Sequence, residues 1–446
     1  MAALVAAAIG LECVAQDNEW PGHTLLASSS FDAASLQNSL IEEVRLHVMN
    51  LLDDCTVESV QVCLLLGTYY IYHGSPALAW NMFGISVRTA YALSLHCESA
   101  VTLADPVRSQ VYRRTWNHLI VADTYAAMIY GRPCSLDAAF CNWHELMELE
   151  DTRLLASVAD LDQGSGLTGL AFSTLKYRLY EIMRSCLYKF RHMNLQSSNG
   201  FALLVETILE GRAALSAWKA GLPLIFNHPS VLETHRHPDS EALVYKRLFL
   251  QSQTLQLTYD SAVIFVNRPL LEYQARPEFQ AAVSENQVVV RSSLDLCFKA
   301  ALRVSHVSAD LQKSEFSLSF VLMNFFTAGV IMCLAPTLWP LSKASTEAKA
   351  GVLRIVRASR RFRNKSQIAR HTDQLLTRLL RSISQQELEN ALGENDQTMV
   401  AGTREHHLIS SRVSPANSTP LMPTAQCSQP APQEQHPQMS SYPPLD

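Results

Sequence analysis

Apolar positions recur at three- and four-residue spacing along most of the chain, the period of a helix that turns one face to a core. Between Val57 and His73 that face is marked by Val57, Val60, Leu64 and Ile71. Gly74 closes the segment and Ser75 is placed as the cap of the next. Pro76 takes a first helical position, where its missing N–H costs nothing. A second helix then runs from Ala77 to about His96, making an antiparallel hairpin with a very short joint. Asp105-Pro106 repeats the signal and opens a third helix to Tyr130, which Gly131-Arg132-Pro133 stops. Further helices are predicted over 175–195, 201–221, 241–267 and 286–307. An apolar run over 316–342 and a helix pair over roughly 345–393 complete the series. No period-2 strand stands out, and the valines at 288–290 fall inside a helix-period segment. The expected fold is all-α, a multi-helix bundle domain over 1–393.

From residue 394 the character changes. Pro415–Asp446 holds eight of the 19 prolines, with Gln, Ser and His between them. Such a segment buries too little apolar area to offset its ordering entropy, so 394–446 is predicted to be a disordered tail. The stretch DLDQGSGLTG at 160–169 reads as a loop.

Two apolar stretches need a decision about membranes. Met1–Ala15 lacks a basic start and carries Glu12, which favours a buried helix over a signal peptide. The uncharged run 316–342 is long enough to span a bilayer. Ser317, Ser319, Asn324 and Thr327 interrupt it, and Pro336 and Pro340 fall in its second half. A core helix is the expected reading, with no membrane partner.

Composition supports the helical reading. Hydrophobic residues make up 48% and charged residues only 17%, while Gly numbers 16. A net charge of -5 argues against a protein that coats nucleic acid with its whole surface. The average hides an asymmetry: 343–381 carries eleven Lys/Arg against two Asp/Glu, a balance of +9, and the rest of the chain balances at -14. Within it, Arg354, Arg357, Arg360, Arg361, Arg363, Lys365 and Arg370 alternate with Ile355, Val356, Phe362 and Ile368. That pattern suits an amphipathic surface helix, and its core Arg360, Arg361, Arg363 and Lys365 also suits a nuclear localisation patch.

Candidate chemistry is sparse. The ten cysteines are scattered among apolar residues with no Cys-x-x-Cys, the usage of small buried hydrophobes in a reducing compartment. The sequence has no G-x-G-x-x-G, no Walker loop, no G-x-S-x-G and no H-E-x-x-H. His144-Glu145 lacks the second His of a zincin helix, and the His228–Asp239 loop is weak support for metal. On the third helix Tyr112, Trp116, Ile120, Asp123 and Ala127 share one face. Asp123 therefore lies on an apolar stripe, where it needs a cation (Arg88, Arg113 or Arg132) or backbone N–H groups.

The order of these segments resembles the fungal-specific transcription factor domain, the middle homology region of fungal binuclear zinc-cluster regulators. The resemblance is carried by Gln61–Tyr72, then Ala79-Trp80 through Leu93-Ser94-Leu95-His96, with Gly84, Val87, Arg88 and Ala90 in place. It continues with Arg113-Arg114-Thr115-Trp116, Asp123 and Gly131-Arg132-Pro133. Asn267-Arg268-Pro269-Leu270 matches the family's helix end, and Cys297-Phe298-Lys299-Ala300-Ala301 the segment after it. Ser94 stands where the family usually has Gly. The family's six-cysteine zinc cluster is missing, as is its coiled-coil linker. A shortened member, an incomplete gene model and a regulator without its own DNA reader are all open readings.

The resemblance implies a nuclear transcriptional regulator, often of a metabolic pathway or biosynthetic gene cluster, and not an enzyme. It implies no cofactor once the zinc cluster is absent. Implied partners are transcriptional co-regulators or a DNA-binding partner, with a small-molecule effector as a further possibility and no direct DNA reading by this chain. The alternative is a small-molecule-sensing or protein-interaction module with no DNA binding of its own. Trp80, Trp116, Arg88, Arg132 and Arg268 are expected to be architectural: indoles as apolar anchors, guanidiniums at helix ends.

Overall fold

The computed structural model describes residues 1–14, 22–28, 32–97, 106–140, 146, 170–195, 199–227, 242–274, 276–307, 315–364 and 366–400. Among these there are fifteen α-helices and no strand. Met1–Ala391 forms one compact unit. Of the second, Leu392–Asp446, the described part is helical and ends at Val400. The rest of the expected tail, the 160–169 loop, His144 and the His228–Asp239 loop all lie outside the described residues.

Two apolar cores divide the helices. The N-terminal core is built from α1 (Ala2–Val14), α3 (Ala33–Asp54), α4 (Val57–Tyr72), α5 (Pro76–Ala92) and α6 (Pro106–Tyr130). The second core takes α7 (Ala171–His192), α8 (Gly200–Ala220), α9 (Leu224–Asn227) and α10 (Ala242–Gln274). It continues through α11 (Gln280–Glu285), α12 (Gln287–Val304), α13 (Glu315–Leu338), α14 (Lys343–Phe362) and α15 (Gln367–Val400). A short helix, α2 (His23–Ser28), precedes α3. Helix α6 serves both cores: Trp116, Leu119 and Ile120 enter the first, Ala127 and Met128 the second.

Local signals explain several boundaries. Asp32 caps α3 by accepting from the Ser35 N–H, and Thr56 and Ser59 form a reciprocal capping box at α4. The α4–α5 joint turns at Gly74, whose φ of 73° favours glycine, and Pro76 is the first residue of α5. Ser75 occupies the cap position without a side-chain cap bond, so the proline and the glycine set this joint. The two helices pack closely because Gly67 has no side chain. A Cβ there would lie 2.5 Å from the Phe83 ring.

Helix α10 differs from the sequence reading. The family's helix end at Arg268-Pro269-Leu270 falls inside a helix that continues to Gln274. Proline removes one helical N–H bond and crowds the carbonyl four residues back. The continuation buries Leu270 completely, while the Arg268 guanidinium lies 5.4 Å over the Phe265 ring. The apolar run forms α13, with Val321, Leu322, Phe325, Ala328, Met332 and Ala335 buried in the second core. By length and composition Phe320–Leu338 could cross a membrane, but these contacts make it a core helix.

Helices α14 and α15 are joined across their polar edges. Lys349 Nζ donates to Glu387 Oε2 at 2.7 Å, and the Ser345 hydroxyl donates to Oε1 of the same carboxylate. Lys349 holds the Glu387 carboxyl below its ordinary range. This stabilisation is present above the unfolded pKa near 4.5 and fades as pH falls through the lower folded value. Glu387→Gln is expected to cost about 0.5–1 kcal/mol at neutral pH and nothing in strong acid. Denaturant midpoints at pH 7 and pH 3 check this.

Candidate functional site

The densest set of family-motif residues surrounds α6. Trp116 is fully buried. Its ring meets Tyr91 edge-on at 5.8 Å and a tilted His96 at 6.0 Å. Phe140 completes the group against Tyr91 and His96. The α5 exit aims those rings, because Ser94 adopts a left-handed backbone with φ of 54°. Glycine adopts that conformation without a Cβ penalty. Ser94→Gly is therefore expected to raise stability by about 0.5–1 kcal/mol, the relief of strain less the entropy of the glycine. A thermal melt of the two proteins checks it.

Below Trp116, Asp123 is fully buried on the same face. Helix α6 stops at Gly131, whose φ is 63°, and the chain folds back so that its N–H groups point at the carboxylate. The Ser135 N–H donates to Oδ1 at 2.9 Å and Oδ2 at 3.1 Å, and the Leu136 N–H donates to Oδ2 at 3.1 Å. The cation acting on this carboxylate is Arg184 of α7, not Arg88, Arg113 or Arg132. Its Nη2 donates to the Leu136 carbonyl at 2.8 Å. Burial pushes the Asp123 carboxyl up, against the pull of the N–H groups and Arg184.

The remaining motif residues are dispersed. Arg88 is exposed on α5, Arg113 and Arg114 are partly buried on α6, and Pro133 is exposed. Arg132 lies 5.4 Å over the half-buried Trp80 ring and 5.8 Å over Tyr130, so it serves as a cation–π partner. Arg268 and Pro269 are half-buried on α10, a helix of the second core. Arg360 and Arg361 lie in the last turn of α14 and Arg363 caps it, while Lys365 lies outside the described residues.

Sequence reasoning missed the polar hubs of the second core. The Arg212 guanidinium donates to Asn267 Oδ1 at 2.6 Å, the Ser292 hydroxyl at 2.8 Å, the Ser293 hydroxyl and the Val289 carbonyl. It thereby ties α8, α10 and α12 together. Asp260, buried in α10, takes two bonds from Arg303 at 2.9 and 2.6 Å and one from Gln256. Arg212 and Asp260 lie in helix-period segments with no motif around them, so only their distant partners reveal their roles.

The chemistry these groups support is structural. The carboxylates of Asp123 and Asp260 are engaged by N–H groups and guanidinium. Burial pushes the thiols of Cys63 and Cys186 up to about 11, and those of Cys297 and Cys333 to about 12. Thiols held that high stay protonated and weakly nucleophilic at neutral pH. Among the described residues no group of three or more His, Cys, Asp or Glu stands close enough to hold a metal ion. Where α6, α7, α10 and α13 meet, Tyr125, Tyr180, Ser261 and Asn324 help line a cavity of about 30 Å³. That is room for a water molecule or two, not for a metabolite.

Residues 20–220 match the family model of the fungal specific transcription factor domain, a stretch that runs from α2 to α8. The motifs at Arg268 and Cys297 lie beyond the match. Transcription factor FBD3 of Fusarium pseudograminearum is 28% identical over 211 residues, covering 46% of this chain and 26% of its own. The FBD3 of Gibberella moniliformis is 25% identical over 272 residues, 57% of this chain and 34% of its own. The thiamine repressible genes regulatory protein thi1 of Schizosaccharomyces pombe is 26% identical over 320 residues, 70% of this chain and 36% of its own. The chain thus aligns with about a quarter to a third of the length of these curated relatives. No solved structure matches it.

Proposed function

We propose that this chain is the helical regulatory part of a transcriptional regulator of the fungal zinc-cluster class. It acts in the nucleus, controls a metabolic or biosynthetic gene set, and uses no resident cofactor. The observation that carries this reading is the family match at 20–220, which coincides with the α6-centred packing of Trp116, Asp123 and the Gly131 stop. Relatives named as a transcription factor or as a gene regulatory protein support it.

In this reading the motif residues hold the scaffold, and output passes through contacts of its surface with co-regulators or a DNA-binding partner. Fusing the chain to an unrelated DNA-binding module in a fungal host tests it. Expression of a reporter carrying that module's sites is expected to rise or fall at least severalfold relative to the module alone. An unchanged reporter, with the fusion present and folded, contradicts the proposal.

A further inference from the structure

Helices α14 and α15 gather arginines on one outer face. Between Arg354 and Arg381 the chain has nine Lys/Arg and one acid, Asp373. The apolar side of α14 (Val352, Ile355, Val356) is buried, so its basic side is fixed outward. Arg360 donates to Asp373 at 2.9 Å and to the Thr377 hydroxyl at 3.3 Å, which neutralises that acid and pins the two helices. An open groove of about 460 Å³ is lined by Arg360, Asp373, Gln374, Thr377, Arg378 and Arg381, its one acid engaged by Arg360. At its end Arg370 bonds the Arg363 carbonyl, bringing two more guanidiniums to the turn. Arg363, Arg370, Arg378 and Arg381 are all exposed.

We infer that this face binds the phosphate backbone of duplex DNA without reading its sequence. The argument is charge complementarity. The exposed cations named here are all arginines, whose planar fork suits phosphate oxygens. They are carried on packed helices, and Arg370 to Arg381 extends roughly 16 Å along α15 at 1.5 Å per residue. That length covers several phosphates of one strand at about 3.4 Å per strand. A nuclear import receptor, the other partner for such a sequence, takes an extended basic segment, whereas Arg360 and Arg361 are helical and Arg360 is engaged. With the remainder of the chain acidic, the face would orient the protein on DNA. Base recognition would still come from another module.

Fluorescence anisotropy with the full chain and 20-base-pair duplexes of two unrelated sequences tests this. The expected result is similar binding to both. The logarithm of the association constant should fall with the logarithm of salt at a slope of about -3 to -5, as for four to five phosphate contacts. Neutralising Arg363, Arg370, Arg378 and Arg381 to Gln is expected to weaken binding at least tenfold and to flatten that slope. Circular dichroism checks that this variant is folded. Neutralising Arg45, Arg88, Arg178 and Arg247 instead removes the same charge elsewhere and is expected to leave binding within twofold. No binding at 50 mM salt overturns the inference. So does equal loss in both variants, or binding by an import receptor with none to DNA.

Discussion

Trp116→Ala is expected to destabilise the protein by about 3–5 kcal/mol, the range for removing a large aromatic from a packed core. The indole is fully buried between α4, α5 and α6, and Tyr91 and His96 rest against it. Its truncation leaves those rings without a floor, and the surrounding helices can close the gap only in part. Among the described residues the indole Nε1 has no acceptor, so no hydrogen bond seen there is lost with it. That makes Trp116→Phe informative: it keeps most of the apolar volume and removes an unsatisfied donor, and is expected to cost about 1–2 kcal/mol. Chemical denaturation of the three proteins measures both differences. An unchanged midpoint for Trp116→Ala would show that the N-terminal core does not depend on this ring.

Asp123→Ala is expected to cost about 2–4 kcal/mol by a different route. The substitution strands the N–H groups of Ser135 and Leu136 and removes the negative charge beside buried Arg184. Asp123→Asn keeps one acceptor oxygen and replaces the other by a donor, and about half that loss is expected. The pH dependence separates this site from Lys349–Glu387. Because burial raises the folded pKa of Asp123 above 3.8, its contribution is fullest in acid and declines as pH rises through the folded value. Glu387 has the opposite sign. Stability measured between pH 3 and pH 7 is therefore expected to lose a downward component in Asp123→Asn and an upward one in Glu387→Gln.

What could be read from the sequence was local. The period of Val57–Tyr72, the Gly74–Pro76 joint and the Gly131 stop are set by residues within one or two turns, and their boundaries follow from caps and prolines. Helix α3 has a weak apolar signature although Asp32 caps it, because its buried residues are few: Ile41, Val44 and Leu51. Pro269 misled for a related reason. A proline predicts an end from local sterics, whereas burial of Leu270 is a tertiary gain that local reasoning does not see.

The α6 site was half legible. A lone carboxylate on an apolar stripe announces that Asp123 must be satisfied, but not by what. Its N–H donors lie twelve and thirteen residues on, and Arg184 belongs to another helix. The Arg212 hub joins residues 55 to 81 positions apart, and no spacing rule reaches that far.

The central claim is that the family-motif residues act by holding the fold and not by touching a ligand or partner. Reporter output of the DNA-tethered chain, plotted against folded fraction at the growth temperature for wild type, Trp116→Phe, Trp116→Ala, Asp123→Asn and Asp123→Ala, tests it most directly. All five points are expected on one rising curve. A variant that is as folded as wild type yet silent would contradict the claim and place a binding contact at that residue.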